Sequence, residues 1–169
     1  VMTFTGTSID LNRLSACPFG ITTVETLRPV AETLVVEIGG EPIWVPEENR
    51  GLYHAALTFG ANNLMTLVTQ TTELLEAAGI TNPENLVAPL LGASLDNALR
   101  NGDAAITGPV ARGDASTVRE HLRVLANFDP AVTQAYRAMA RLTAIRALAS
   151  GTLQPQLAEE LLIVLADES

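Results

Sequence analysis

Residues 46–78 read PEENRGLYHAALTFGANNLMTLVTQTTELLEAA, and this stretch decides the fold. Proline fits the first turn of a helix, and the glycine that follows the stretch, Gly79, suits the left-handed residue that ends one. Glu47 and Glu48 place negative charge where the helix dipole is positive. The stretch therefore predicts a single helix of roughly 48 Å, at a rise of about 1.5 Å per residue. We expect this helix to be the central element of an all-helical domain.

The composition narrows the class of protein. The chain has 169 residues and a net charge of −9, with ten arginines and no lysine. Apolar residues make up 47% but aromatic residues only 4%, which predicts a core of leucine, valine, alanine and isoleucine between helices. An acidic chain without a basic stripe is not expected to bind nucleic acid. The absence of lysine excludes Schiff-base chemistry by a lysine.

The cysteine count and the hydropathy pattern argue against a disulfide, a metal site and a membrane-spanning segment. The single cysteine, Cys17, excludes an intrachain disulfide, and we expect it to be a small buried residue. No cluster has the spacing of metal ligands, so no metal site is predicted. No signal peptide and no apolar run of about 18 residues is present, so we expect a cytoplasmic protein that does not contact a membrane.

The part of the chain before residue 46 has a different pattern. Residues 18–23 and 41–45 are strand candidates, and the apolar spacing between them predicts an amphipathic helix that ends at Gly39 and Gly40. We expect Thr22 or Thr23 to cap this helix. Strand, helix and strand in this order predict a βαβ-like unit. Because one such unit cannot cover both faces of a sheet, we expect it to be the end of a larger α/β domain.

The part after the long helix carries repeated signals for a helix start. Each start combines a capping residue, a proline in the first turn, or both. From Glu47 onward these signals predict five helices with short loops, and Pro89 predicts a kink or break in the second of them. The remaining starts are Asn82-Pro83, Asp114, Asp129-Pro130 and Pro155, and the last helix is predicted to turn Leu157, Leu161, Leu162 and Leu165 inward.

Polar residues in the middle of the long helix are a candidate site. At about 100° per residue, Thr58 lies about 40° and Asn62 about 80° around the helix from His54, so the three share one face. Histidine transfers protons near neutral pH, and asparagine holds a substrate oxygen or amide. The alternative is that His54 is a surface or satisfied core histidine and that Asn62 bonds across a helix interface.

The loop at residues 107–114 reads TGPVARGD and is a second candidate site. Arg112 can bind a substrate carboxylate through two parallel hydrogen bonds. The alternative is a tight turn that leads into a helix capped by Asp114, with Arg112 paired to a carboxylate of the chain. His121, in that next helix, is expected at the surface. No Gly-x-Gly-x-x-Gly motif follows a strand, and there is no Walker loop.

Three motifs together resemble the DUF2520 family. They are MTFTGT at residues 2–7, YHAA at 53–56 followed by Ala61 and Asn62, and TGPVARGD at 107–114. The resemblance implies a mainly α fold: a helical bundle of the 6-phosphogluconate dehydrogenase C-terminal-like type, preceded by a small βαβ-like remnant of a Rossmann domain. It implies domains at 1–45, the end of a cofactor domain, and at 46–169, a helical substrate and dimerisation domain that forms a homodimer.

The resemblance also implies a function. It is that of an NAD(P)-dependent oxidoreductase acting on a small carbonyl, imine or hydroxy acid, of which this chain is the C-terminal part. His54 and Asn62 would be catalytic, and Thr58, Arg112 and Asp114 would bind substrate. In related β-hydroxyacid dehydrogenases a lysine four residues before an asparagine transfers the proton, whereas Thr58 stands there in this chain. Without the glycine motif, the chain alone is expected to be inactive. The alternative is a non-catalytic helical dimerisation or ligand-sensing module.

Overall fold

The computed structural model describes residue 1 and residues 5–166. Residues 2–4, which carry part of the MTFTGT motif, lie outside the described residues. Contacts divide the chain into two compact units, Val1–Leu67 and Val68–Ser169. Among the described residues, no helix is long and apolar enough to cross a membrane, and no group of side chains could hold a metal ion.

The first unit is built around two parallel strands. Helix α1 (Ile9–Leu14) precedes strand β1 (Pro18–Ile21), and helix α2 (Arg28–Glu37) leads to strand β2 (Glu41–Trp44). The strands pair in parallel, with Pro18 opposite Glu41 and Ile21 opposite Trp44. This arrangement confirms the predicted βαβ-like unit. Cys17 is only 5% exposed, as expected for a small buried residue.

The predicted threonine cap of α2 is wrong. The Thr22 hydroxyl donates to the Val45 carbonyl at 2.7 Å instead, so it joins the segments that follow the two strands. After β1 the chain passes through a 3₁₀ turn at Glu25–Leu27 before α2 begins at Arg28, and no side chain caps that start. Pro29 lies in the first turn of α2, where its missing N–H costs no hydrogen bond.

A long helix follows, close to the predicted position. A 3₁₀ turn at Glu47–Asn49 comes first, and helix α3 runs over Arg50–Ala77. No residue of α3 is buried within this chain. The division between the two units falls within this helix, whereas the sequence predicts a domain boundary after residue 45. That domain boundary stays a prediction.

The described part of the second unit contains five further helices. Helix α4 (Glu84–Asn101) continues unbroken through Pro89, and a 3₁₀ turn at Gly102–Ala105 follows it. Asn82 does not cap α4, because it has a positive φ of 54° and no side chain caps that helix. The remaining helices are α5 (Pro109–Arg112), α6 (Ala115–Ala126), α7 (Pro130–Ala149) and α8 (Pro155–Leu165).

Two of the predicted caps are confirmed. The Asp114 carboxylate accepts from the Thr117 backbone N–H at 3.0 Å at the start of α6. The Asp129 carboxylate accepts from the Ala131 N–H at 2.7 Å at the start of α7. Each aspartate satisfies a backbone donor that the first turn of a helix leaves without a partner. The short helix α5 lies inside the predicted loop 107–114 and was not predicted.

The core of the second unit lies between α6, α7 and α8. Small residues on α7 allow the neighbouring helices to approach closely, and the buried leucines of α8 fill the space between them. Leu161 and Leu165 are fully buried, but Leu157 is 43% and Leu162 is 39% exposed, so the prediction that these two face inward is wrong. The buried residues include Val118, Leu122, Ala140, Ala144, Ala147, Leu153 and Ala158. The predicted mainly α class, with a small parallel strand pair at the start, is confirmed.

Candidate functional site

A cleft of about 590 Å³ opens at one edge of the strand pair in the first unit. The segments that follow β1 and β2 form one side of it, and the first turns of α3 form the other. In parallel sheets, ligands bind in the crevice outside the carboxyl ends of the strands. The cleft is lined by Gly20, Thr22, Val45, Arg50, Gly51, Tyr53 and His54.

Backbone and side-chain hydrogen bonds fix the strand side of the cleft. The Val45 N–H donates to the Ile21 carbonyl at 2.8 Å and extends the ladder by one residue beyond β2. The Thr22 hydroxyl then donates to the Val45 carbonyl. The two segments are therefore held together after the strands have ended, and they present Thr22 and Val45 to the same cleft.

Gly20 and Tyr53 bring α3 against this edge. A Cβ atom on Gly20 would lie 2.4 Å from the Tyr53 hydroxyl oxygen and 2.6 Å from the neighbouring ring carbon Cζ. Only glycine leaves room for the tyrosine ring to lie against β1. Since Tyr53 is followed directly by His54, this contact also sets the position of the histidine at the cleft.

His54 is exposed and lines the cleft. Among the described residues, its imidazole takes part in no hydrogen bond and no ion pair. A histidine without a protein partner can exchange a proton with a ligand, which is the chemistry required of a general acid or base.

Thr58 and Asn62 lie further along α3. Both are exposed, and neither lines the cleft. The Asn62 backbone carbonyl accepts from the Thr66 hydroxyl at 3.2 Å, one turn later in the same helix. A catalytic role for Asn62 and a substrate-binding role for Thr58 stay predictions.

The loop at residues 107–114 belongs to the second unit. The Asp114 carboxylate accepts from the Ser116 hydroxyl at 2.8 Å, from the Thr117 hydroxyl at 2.7 Å and from the Thr117 N–H. These bonds, above all the one from the Thr117 N–H, lower the pKa of Asp114 from 3.8 to about 2. Arg112 is exposed and forms no ion pair within the described part of the chain. Substrate binding by Arg112 and Asp114 stays a prediction.

His121 differs from its predicted surface position. It is half-buried, and its Nδ1 lies 2.8 Å from the Tyr136 hydroxyl oxygen, with the two rings at 82°. Burial raises the pKa of the Tyr136 hydroxyl. The pair joins α6 to α7, so the two histidines of the chain have different environments: His54 is exposed at a cleft, and His121 is held between helices.

Several cleft residues are not predicted as site residues from the sequence. Arg50 and Tyr53 lie beside His54 in the chain, but their common cleft depends on β1 and β2. One signal was present, because Thr22 and Val45 lie at the ends of the two predicted strands. The carboxyl ends of parallel strands share one edge of a sheet, so these two residues could have been placed together.

The fold and the cleft define a mainly helical protein with a βαβ unit and a ligand-sized cleft at the carboxyl edge of its strands. Comparison with protein families identifies the family to which the chain belongs. Residues 17–143 match the family DUF2520, described as a domain of unknown function. The match covers most of the chain, so the chain belongs to the DUF2520 family, and the resemblance found in its motifs is confirmed.

Comparison with solved structures gives a similar fold. The crystal structure of protein TM1727 from Thermotoga maritima matches with a TM-score of 0.75 and 25% sequence identity. The match covers 88% of this chain and 60% of that one, so this chain spans 60% of the length of the protein it resembles. No curated protein matches the chain significantly.

Proposed function

We propose that this chain is the C-terminal part of an NAD(P)-dependent oxidoreductase that acts on a small carbonyl, imine or hydroxy acid. One observation carries the proposal: His54, whose imidazole has no hydrogen-bond or ion-pair partner among the described residues, lines a cleft at the carboxyl edge of two parallel strands. Oxidoreductases of this general architecture bind ligands at such an edge. Membership of the DUF2520 family is consistent with the proposal but assigns no activity.

In this proposal His54 is the proton donor or acceptor. Reduction of a carbonyl places a proton on its oxygen, and oxidation of a hydroxyl removes one, so both directions need an acid/base group beside that oxygen. No lysine is available anywhere in the chain, and Thr58 stands four residues before Asn62. Asn62 does not line this cleft, so its predicted role in orienting the reacting oxygen is not part of the proposal.

The residues of this chain do not fit NAD(P) by themselves. A dinucleotide pyrophosphate is normally held by a glycine-rich turn between a strand and a helix. Here β1 is followed by Thr22, Thr23 and Val24, and β2 by Val45 and Pro46, with no glycine in either turn. The proposal therefore assigns cofactor binding to a longer form of the protein, and it assigns only the proton transfer to this chain.

The test is turnover of a substrate panel by the full-length protein. We expect oxidation of NADH or NADPH, followed at 340 nm, with at least one small 2-oxo acid, aldehyde or imine in the panel. The control is the 169-residue chain, which is expected to be inactive. Absence of turnover with every substrate and both cofactors would contradict the proposal.

A second function is favoured by the missing lysine. A non-catalytic helical dimerisation or ligand-sensing module would retain the fold without an acid/base lysine, as this chain does. The first test is NADPH titration of the full-length protein, followed by fluorescence. Absence of saturable binding supports a pure dimerisation scaffold. Where NADPH binds, turnover in the substrate panel separates the oxidoreductase from a ligand-sensing module.

The proposal includes a homodimer formed through the helices. No residue of α3 is buried within the chain, and several of its large apolar side chains are more than half exposed. Leu52 is 73%, Met65 68% and Phe59 63% exposed. Apolar side chains along a helix at this density indicate an interaction surface, and the occupant we propose is a second copy of the chain.

A further inference from the structure

The residues that line the cleft include one cationic side chain and no carboxylate, although the chain as a whole is acidic. The chain has a net charge of −9, yet the residues that line the cleft include Arg50 and no aspartate or glutamate. Arg50 is also the first residue of α3, where the helix dipole is positive. These features all favour an anionic ligand.

Arg50 can bind such a ligand at little cost to the fold. Its Nη1 lies 3.1 Å from Glu47 Oε1, and the two side chains are 63% and 72% exposed. An exposed pair of this kind contributes little to stability because water screens it. A guanidinium also has several N–H donors in a planar fork, so donors that do not face Glu47 can bind a ligand carboxylate.

The neighbours of Arg50 add polar groups for a second part of the ligand. His54 lies one helical turn further along α3, so its side chain neighbours that of Arg50. The Tyr53 hydroxyl makes no hydrogen bond within the described residues and is free to donate. The Thr22 hydroxyl donates to the Val45 carbonyl, which leaves its oxygen as an acceptor toward the cleft.

The polar groups suit a carboxylate better than a phosphate. Phosphate sites usually combine several backbone N–H groups from a glycine-rich turn at a helix start. The turn after β1 contains Thr22, Thr23 and Val24 and supplies no glycine. One guanidinium fork matches the two oxygens of one carboxylate.

We propose that the cleft is a subsite for a small 2-oxo or 2-hydroxy carboxylate. Arg50 binds the carboxylate, and the oxygen on the next carbon faces His54 and the Tyr53 hydroxyl. This inference rests on the proposed function, because it assigns the substrate class to the same site. It also assigns carboxylate binding to Arg50, which belongs to the same unit as His54, whereas Arg112 belongs to the other unit.

The test uses NMR of the 169-residue chain with pyruvate as the probe. The chain has two histidines, so its ¹H–¹³C spectrum contains two imidazole Cε1–H signals. We expect the His54 signal to shift saturably with pyruvate and the His121 signal, held by Tyr136 in the other unit, to stay in place. Inorganic phosphate is titrated in parallel and is expected to bind more weakly than pyruvate.

Substitutions identify the cation that binds the probe. Arg50→Gln is expected to weaken pyruvate affinity by about tenfold to a hundredfold, as typical for loss of a charge-assisted bidentate contact. Arg50→Lys keeps the charge without the fork and is expected to give an intermediate affinity. The matched control is Arg13→Gln, which removes an arginine of α1 outside the cleft and is expected to leave the affinity unchanged.

Three results would overturn the inference. They are the absence of a saturable His54 shift, an equal loss of affinity in Arg50→Gln and Arg13→Gln, and tighter binding of phosphate than of pyruvate. The pyruvate titration needs no nicotinamide cofactor, so its outcome is independent of the turnover assay that tests the proposed function. Turnover without pyruvate binding contradicts only this inference, and pyruvate binding without any turnover contradicts only the proposed oxidoreductase.

Discussion

At the scale of single residues, Gly113 and Asp114 fix the turn between α5 and α6. Gly113 has a φ of 71°, and a Cβ atom there would lie 2.5 Å from the Leu157 Cβ. Asp114 follows it and caps α6 through the Thr117 N–H. The turn therefore depends on one residue without a side chain and on one carboxylate.

Gly113→Ala is expected to destabilise the chain by about 1–3 kcal/mol. The new methyl group would overlap Leu157, and alanine is strained at the positive φ of this position. Urea unfolding followed by circular dichroism measures the change. The control is Gly92→Ala on α4, where a Cβ atom meets nothing within 4 Å. That substitution is expected to be neutral or to stabilise by up to about 1 kcal/mol. Equal effects of the two substitutions would contradict the description of this turn.

Asp114→Ala is expected to lower the thermal unfolding temperature at pH 7 by removing the cap of α6. The pKa of Asp114 is lowered from 3.8 to about 2 in the folded chain, so the ionised carboxylate stabilises the fold above about pH 4. This stabilisation is lost as the pH falls from about 4 through about 2. Unfolding temperatures of wild type and variant should therefore converge over that range.

The control for this pH dependence is Asp96→Ala. Asp96 is an exposed carboxylate on α4 that pairs with Arg100, and water screens that pair. Its removal is expected to lower the unfolding temperature at pH 7 by less than Asp114→Ala. A gap between wild type and Asp114→Ala that stays constant down to pH 2 would show that the charged cap does not stabilise α6.

Helix caps, which depend on neighbouring residues, could be predicted from the sequence. The caps Asp114 and Asp129 were predicted because an N-cap bonds to a backbone N–H two or three residues away. The Thr22 cap was predicted wrongly because its hydroxyl bonds to Val45, far along the chain. The role of Gly20 could not be predicted for the same reason, since the residue that needs its missing side chain is Tyr53.

At the scale of elements, α8 shows what helical periodicity can and cannot establish. Its start at Pro155 was predicted from the proline alone. Its buried face was predicted only in part, because the helix carries large apolar residues around much of its circumference. Leu161 is fully buried, whereas its neighbour Leu162 is 39% exposed. The packing against α6 and α7 selects the face, and that packing is not local information.

Leu161→Ala is expected to destabilise the chain by about 2–5 kcal/mol, because it leaves a cavity between α6, α7 and α8. Leu162→Ala removes the same atoms from a partly exposed position and is expected to cost roughly 1 kcal/mol or less. Chemical denaturation of both variants measures the difference. If the two free energies of unfolding are equal, the assigned face of α8 is wrong.

At the scale of the whole molecule, contacts within one chain do not explain why the apolar side chains of α3 are exposed. Its existence and length were predicted from its proline start and glycine end. Its exposure could not be predicted from periodicity, because apolar residues occur on several of its faces. A helix with no buried residue and with exposed Phe59 and Met65 is expected to be covered in the functional assembly.

Phe59→Glu is expected to shift a dimer toward monomer, since it places a charge within the proposed apolar interface. Sedimentation velocity at micromolar concentration measures the species present. The control is Val36→Glu, which adds the same charge at a side chain that is 60% exposed on α2. Wild type that sediments as a monomer at every concentration would contradict the proposed homodimer.

The most direct test of the central claim compares the two histidines of the chain in the full-length protein. His54→Gln is expected to lower kcat for NAD(P)H-dependent reduction by about a hundredfold to ten-thousandfold, as typical for loss of a general acid. His121→Gln breaks the contact with Tyr136 in the second unit and is expected to leave kcat within about threefold of wild type. Equal kcat values for wild type and His54→Gln would contradict the assignment of His54 as the acid/base group.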